Sequence, residues 1–72
     1  MKELILRYLD EHWQENLRVI FEDGSSETCK YYGHNYDYDD DGNEVLEIDF
    51  ERLSDGKLIG TTVDDIKEIE AI

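Results

Sequence analysis

The chain has 72 residues, 39% of them hydrophobic, and a formal net charge of −13 from 20 acidic and seven basic side chains. The apolar content suffices for one small core, which excludes a purely disordered acidic tail, and the charge disfavours polyanionic partners while attracting cations or basic protein surfaces. Proline is absent and Cys29 is the single cysteine, so no internal disulfide forms and nothing forces a break in helix or strand.

No apolar run approaches the roughly 18 residues needed to span a bilayer. The start Met1-Lys2-Glu3-Leu4 has neither the cationic region nor the cleavage site of a signal peptide. The expectation is a cytoplasmic protein in a reducing setting.

Residues 2–15 read as one amphipathic helix. Ile5, Leu9, His12, Trp13 and Asn16 fall on one arc at helical spacing, with Leu6 and Tyr8 at its edges; Glu3, Arg7, Asp10, Glu11 and Gln14 fall on the other. Ile5, Leu9 and Trp13 are therefore expected to be buried. The period then changes to two. Leu17, Val19 and Phe21 alternate with Arg18, Ile20 and Glu22 in a first strand, and Asp23-Gly24-Ser25-Ser26 supplies a tight turn. A long second strand runs from about Glu27 to Tyr38. Thr28, Lys30, Tyr32, His34, Tyr36 and Tyr38 share one parity, and Gly33 marks a bend or bulge. Val45–Leu53 makes a third strand with Leu46, Ile48 and Phe50 inward and Glu47, Asp49 and Glu51 outward. After the turn Ser54-Asp55-Gly56-Lys57, Leu58–Val63 is a fourth strand, Asp64-Asp65 a short turn and Ile66–Ile72 a fifth.

This order predicts a single domain over residues 1–72, with a helix in 1–16 and five strands in 17–72. The fold class is mainly β with one helix (α+β). A meander of five short antiparallel strands tends to curl and close, since closure removes exposed edges.

Charge is concentrated between Tyr31 and Glu51, which hold eight carboxylates and no lysine or arginine. These are Asp37, Asp39, Asp40, Asp41, Glu44, Glu47, Asp49 and Glu51. Residues 1–18 sum to −1 (three basic, four acidic), leaving −12 for residues 19–72 (four basic, sixteen acidic). The acidic run with Tyr36 and Tyr38 as aromatic anchors is the candidate partner-binding surface, because tyrosine is favoured at protein interfaces. With only Lys30 as a nearby cation, the tyrosine face fits protein contact or barrel packing better than base stacking.

Asp37-x-Asp39-x-Asp41-Gly42 also has the spacing of a calcium loop, in which alternate carboxylates converge and glycine permits the turn. Asp37, Asp39 and Asp41 are thus candidate metal ligands, and calcium the candidate ion. The EF-hand pattern then fails, since Ile48 stands where a bidentate glutamate is required, and a solvated hairpin tip is the plainer reading. Cys29, His12 and His34 are too few and too scattered for a zinc site or a Cys–His nucleophile. No nucleotide-binding glycine pattern, nucleophile elbow or metalloprotease motif is present, and so small a chain offers little shelter for an acid–base pair. The expectation is a non-enzymatic protein that works by binding.

Leu17-Arg18-Val19-Ile20-Phe21-Glu22-Asp23-Gly24 resembles the start of the first motif of the Sm-like (LSm) family, and Leu58-Ile59-Gly60-Thr61-Thr62-Val63-Asp64-Asp65-Ile66-Lys67-Glu68-Ile69 resembles the second. The resemblance implies an N-terminal helix and a strongly bent, five-stranded SH3-like or Sm-like barrel, with self-assembly through strands four and five. The chain departs from the family where Thr28-Cys29-Lys30 replaces a usual glycine. It departs again in 37–43 and 60–65, the RNA-contacting stretches of Sm proteins, which here lack any arginine or lysine. Direct nucleic-acid binding is therefore not expected. In size and charge the chain is similar to small acidic inhibitors of phages and mobile elements, including anti-CRISPR proteins. That similarity implies a nucleic-acid mimic that occupies the basic groove of a nucleic-acid-processing enzyme.

Overall fold

The computed structural model describes residues 2–72, with side chains from Leu4 onward, so Glu3 of the polar arc lies outside the described side chains. Helix α1 (Lys2–Glu11) precedes five strands: β1 (Leu17–Phe21), β2 (Ser26–Tyr38), β3 (Glu44–Arg52), β4 (Leu58–Thr62) and β5 (Ile66–Ala71). A single 3-10 turn, Val63–Asp65, links the last two.

The apolar arc of α1 starts as its periodicity requires. Leu9 is fully buried, and Ile5, Leu6 and Tyr8 pack half-buried against the same core. The helix ends at Glu11, four residues earlier than expected. The His12 N–H still reaches the Tyr8 carbonyl at 3.1 Å, but the Trp13 N–H turns to Asp10 at 3.4 Å and Gln14 takes φ +71°. A left-handed residue just past a helix stops it by redirecting the chain. Trp13 and Asn16 consequently leave the helical arc. Trp13 is 48% exposed rather than buried, with its ring edge-on to Tyr31 at 5.4 Å.

The strands form one antiparallel sheet in the order β4-β3-β2-β1-β5. Among the described residues no ladder joins β4 to β5, so the closure expected of a barrel is absent and the sheet keeps two edges. Two irregularities bend it. One lies between Ile20 and Phe21 on the β1–β5 pair, and the other between Tyr31 and Gly33 on the β2–β3 pair. An extra residue in one strand raises local twist and bends the ladder. The β1–β2 turn is held by Asp23, whose carboxylate accepts the Ser25 N–H and hydroxyl, while Gly24 adopts φ +90°. Those hydrogen bonds, the hydroxyl's first, hold the Asp23 carboxyl below its ordinary pKa.

The core is Leu9, Leu17, Val19, Cys29, Tyr31, Leu46, Ile48, Phe50 and Ile66. It draws on α1 and on every strand except β4, and Leu46, Ile48 and Phe50 obey the inward parity expected of β3. Each fully buried aliphatic or aromatic side chain contributes about 1.5–3 kcal/mol, so a core this small tolerates few losses.

Cys29 illustrates that dependence. It is 1% exposed, and burial, with the Glu27 carboxylate adding to it, pushes its thiol from 9.0 up to about 11. A group whose folded pKa is raised keeps its proton longer in the folded state. Stability linked to Cys29 is therefore complete below pH 9 and is lost as pH rises toward 11. Native protein at pH 8 is expected to react with a disulfide reagent far more slowly than denatured protein. The alkaline fall in unfolding midpoint should be shallower in Cys29→Ala, and rapid labelling of the native chain would show that this core position opens.

Candidate functional site

Nine registered pairs join β2 and β3, and they carry most of the acidic residues singled out above. Tyr31 faces Phe50 and Gly33 faces Asp49, leaving Tyr32 as one residue too many. This insertion switches the parity of β2. Before it the odd residues Cys29 and Tyr31 point to the core; after it His34 lies opposite Ile48 and Tyr36 opposite Leu46, so the even residues do. Directly opposed residues of an antiparallel pair share a face. Tyr32 is 56% exposed and out of register, and it does not join His34, Tyr36 and Tyr38 on a single face as an unbroken strand would require.

The register sorts the candidate residues into three groups. Asp37, opposite Val45, shares the outer face with Glu47, Asp49 and Glu51. Asp39, Asp40 and Asp41 form the exposed tip. Tyr36, Tyr38 and Glu44 lie on the inner, core-side face, with Tyr38 opposite Glu44. The outer face and tip thus hold most of these carboxylates, with Val45 and Asn35 among them and Lys30 opposite Glu51, whereas the two tyrosines back that surface rather than interleave with it.

The tip is a tight turn. The Gly42 N–H donates to the Asp39 carbonyl at 3.0 Å, the Asp39 N–H donates to the Asn43 carbonyl at 2.9 Å, and Gly42 has φ +82°. Glycine at that left-handed position spares a Cβ clash. Asp39 Oδ1 accepts the N–H groups of Asp41 (3.0 Å) and Asn43 (2.9 Å), and Asp37 Oδ1 accepts the Tyr38 N–H at 2.8 Å. Two of the three candidate calcium ligands therefore have an oxygen turned onto backbone amides. Among the described residues no group of three or more His, Cys, Asp or Glu side chains converges for a metal ion.

Gly60 contributes to the outer face in a way the sequence pattern does not reveal. It stands opposite Asp49 on β4, and a Cβ there would meet Glu47 Oε1 at 3.0 Å and Asp49 Oδ1 at 3.2 Å. Its bare backbone lets both carboxylates lie over β4. Both arginines near the sheet's other parts are engaged internally. Arg52 forms a two-pronged pair with Asp55 (3.0 and 2.8 Å) and reaches Glu27 at 3.5 Å, and Arg18 reaches Glu70 at 3.7 Å. The Arg52 hydrogen bonds, then the Lys57 N–H, hold the Asp55 carboxyl below its usual range. Neither arginine neutralises the hairpin tip; Lys30 stands opposite Glu51 on the outer face, at the base of the hairpin.

The inner face carries ring contacts that spacing alone did not predict. The Tyr31 hydroxyl is 2.7 Å from His34 Nδ1, their rings are nearly parallel at 6.5 Å, and His34 meets Tyr36 edge-on at 6.0 Å. Burial, then the carboxylates of Asp10 and Asp49, raise the Tyr31 pKa. Away from this hairpin, a groove of about 530 Å³ separates α1 from β5, with Leu4, Ile5, Tyr8, Val63, Ile66 and Ile69 among its lining. Compared with known protein families, curated proteins and solved structures, the chain matches none of them.

Asp39 has a structural role separable from its charge. Asp39→Ala removes the acceptor for two tip amides and should lower Tm by roughly 2–6 °C, whereas Asp39→Asn keeps an oxygen in place and should change it little. Thermal unfolding followed by circular dichroism distinguishes the two; equal losses in both would mean that charge, not the acceptor, matters there.

Proposed function

We propose that this chain is a non-enzymatic acidic interaction protein that docks through its β2–β3 hairpin on a basic surface of another protein. The observation that carries the reading is the gathering of Asp37, Glu47 and Asp49 on the outer face with Asp39, Asp40 and Asp41 at the tip, with no lysine or arginine between Tyr31 and Glu51; Glu51, at the hairpin base, stands opposite Lys30. Alternate carboxylates on a strand stand roughly 6.8 Å apart. That is about two rises of a nucleic-acid strand at 3.4 Å each. Such a surface would suit the basic groove of a nucleic-acid-processing enzyme and exclude its substrate, in the manner of a phage or mobile-element inhibitor. Association with such a groove is fast and salt-sensitive, because like charges on competitors and opposite charges on the target steer the encounter.

The test is binding of the intact chain to a basic nucleic-acid enzyme recovered on it, measured by calorimetry across a salt series. Replacing Asp39, Asp40 and Asp41 together with Asn should weaken binding by roughly tenfold or more and flatten its salt dependence. DNA should compete with the wild-type chain. Unchanged affinity in the triple variant removes the mimic reading.

A second reading is a self-assembling Sm-like module, favoured by the positions of β4 and β5 as the terminal strands of a sheet that does not close on itself. Pairing β4 of one copy with β5 of the next would cover both edges. Size-exclusion chromatography with light scattering at tens of micromolar separates the two. The docking reading expects the 8.5 kDa monomer, and a mass several times larger supports assembly.

A further inference from the structure

The inner face of the hairpin holds Trp13, Tyr31, His34 and Tyr36 in successive ring contacts, with Tyr38 next along β2. The strip begins at Trp13, two residues past the end of α1. Trp13 is 48%, Tyr36 49% and Tyr38 68% exposed. Large aromatic rings held side by side and open to solvent are unusual unless something stacks on them.

Charge identifies the occupant. The hairpin's two cations are placed elsewhere: Lys30 stands opposite Glu51 on the outer face, and Arg52 is held by Asp55 and Glu27. Carboxylates border the strip instead. Glu44 is opposite Tyr38, Asp10 is close enough to Tyr31 to act on it electrostatically, and Glu15 bonds His12 at 2.9 Å just beyond Trp13. Ring faces beside carboxylates favour a guanidinium over an ammonium ion. The guanidinium is flat and weakly hydrated, stacks on aromatic rings, and pairs with a carboxylate through its edge. His34, Tyr36 and Tyr38 recur at every second residue, roughly 6.8 Å apart, which matches alternate side chains of an extended peptide. A second copy of this chain would bring another −13 and is disfavoured, and a nucleic-acid strand would meet the same carboxylates with its phosphates.

We propose that this aromatic strip is a docking site for an extended, arginine-bearing segment of a partner protein, with arginine side chains stacked on Tyr36 and Tyr38. This rests on the reading of the chain as a binder of basic proteins and adds to it the chemistry of the cation and a second face of the hairpin.

The test uses hexa-arginine and hexa-lysine peptides, titrated into the full chain at physiological ionic strength by calorimetry and by the emission of Trp13, the sole tryptophan. Hexa-arginine should bind roughly tenfold more tightly than hexa-lysine and should shift the Trp13 emission. Tyr36→Ala with Tyr38→Ala should erase the difference, and Tyr36→Phe should keep it, because phenylalanine retains the ring face. Circular dichroism of each variant confirms that it folds. Equal affinities for the two peptides overturn the proposal, as does an arginine preference that survives the double alanine variant. Tighter binding of a thymidine oligonucleotide than of hexa-arginine overturns it in favour of base stacking. The triple Asn variant of the tip separates this proposal from the docking reading beneath it. Loss of binding to both peptides alike supports the acidic tip, and no loss sinks that reading while leaving the arginine preference to the tyrosine variants.

Discussion

The residue inserted at Tyr32 in the ladder between β2 and β3 governs which side chains share a surface. A strand's side chains alternate strictly, so one extra residue moves everything beyond it to the opposite face. Cys29 and Tyr31 enter the core on one side of the insertion, and His34 and Tyr36 take the core side beyond it. The same step places Asp37 on the outer face beside Glu47 and Asp49. Without it the tyrosines would stand among the outer carboxylates and Asp37 would face the core side. Gly33 follows the inserted residue, and a Cβ there would meet nothing, so the bend does not depend on its lacking a side chain.

Electrostatics and packing are divided between the two faces that this step creates. The outer face and tip collect like charges, and they tolerate that repulsion because they are solvated and screened. Gly60 adds to the concentration by letting Glu47 and Asp49 lie over β4. The arginines of β1 and β3 are held by Glu70, Asp55 and Glu27, and Lys30 stands opposite Glu51 at the hairpin base, so the carboxylates nearer the tip have no cation opposite them in the ladder. The inner face instead grades from a sealed core at Phe50 and Leu9 to open aromatic rings at Tyr36 and Tyr38. The stop of α1 at Glu11, with Gln14 in the left-handed region, takes Trp13 out of the helical arc and leaves it half-exposed against Tyr31.

Recognition of a basic partner by such a hairpin would join two physical contributions. The carboxylates supply long-range attraction and salt sensitivity, and the rings supply short-range contact area at low conformational cost, since each has two rotatable bonds. The α1–β5 groove is lined by residues outside the hairpin, whereas the β4 edge runs beside Glu47, Asp49 and Glu51.

Composition and periodicity alone determined the helix followed by five strands, the inward set Leu46, Ile48 and Phe50, the turns at Gly24, Gly42 and Gly56, and the concentration of charge between Tyr31 and Glu51. These are local properties. Alternation, left-handed turn residues and charge can be read from neighbours in the chain. Other features needed the tertiary structure because they depend on partners distant in sequence. The helix stops four residues short of its amphipathic pattern, and Trp13 rests on Tyr31 instead of in the core. The register of β2 against β3 moves Tyr36, Tyr38 and Glu44 to the face opposite Asp37, Glu47, Asp49 and Glu51. The sheet keeps open edges at β4 and β5 where a meander suggests closure. Parity along one strand cannot reveal an insertion whose position is set by pairing with another, and that is why the acidic run was visible in the sequence while the two-faced surface it belongs to was not.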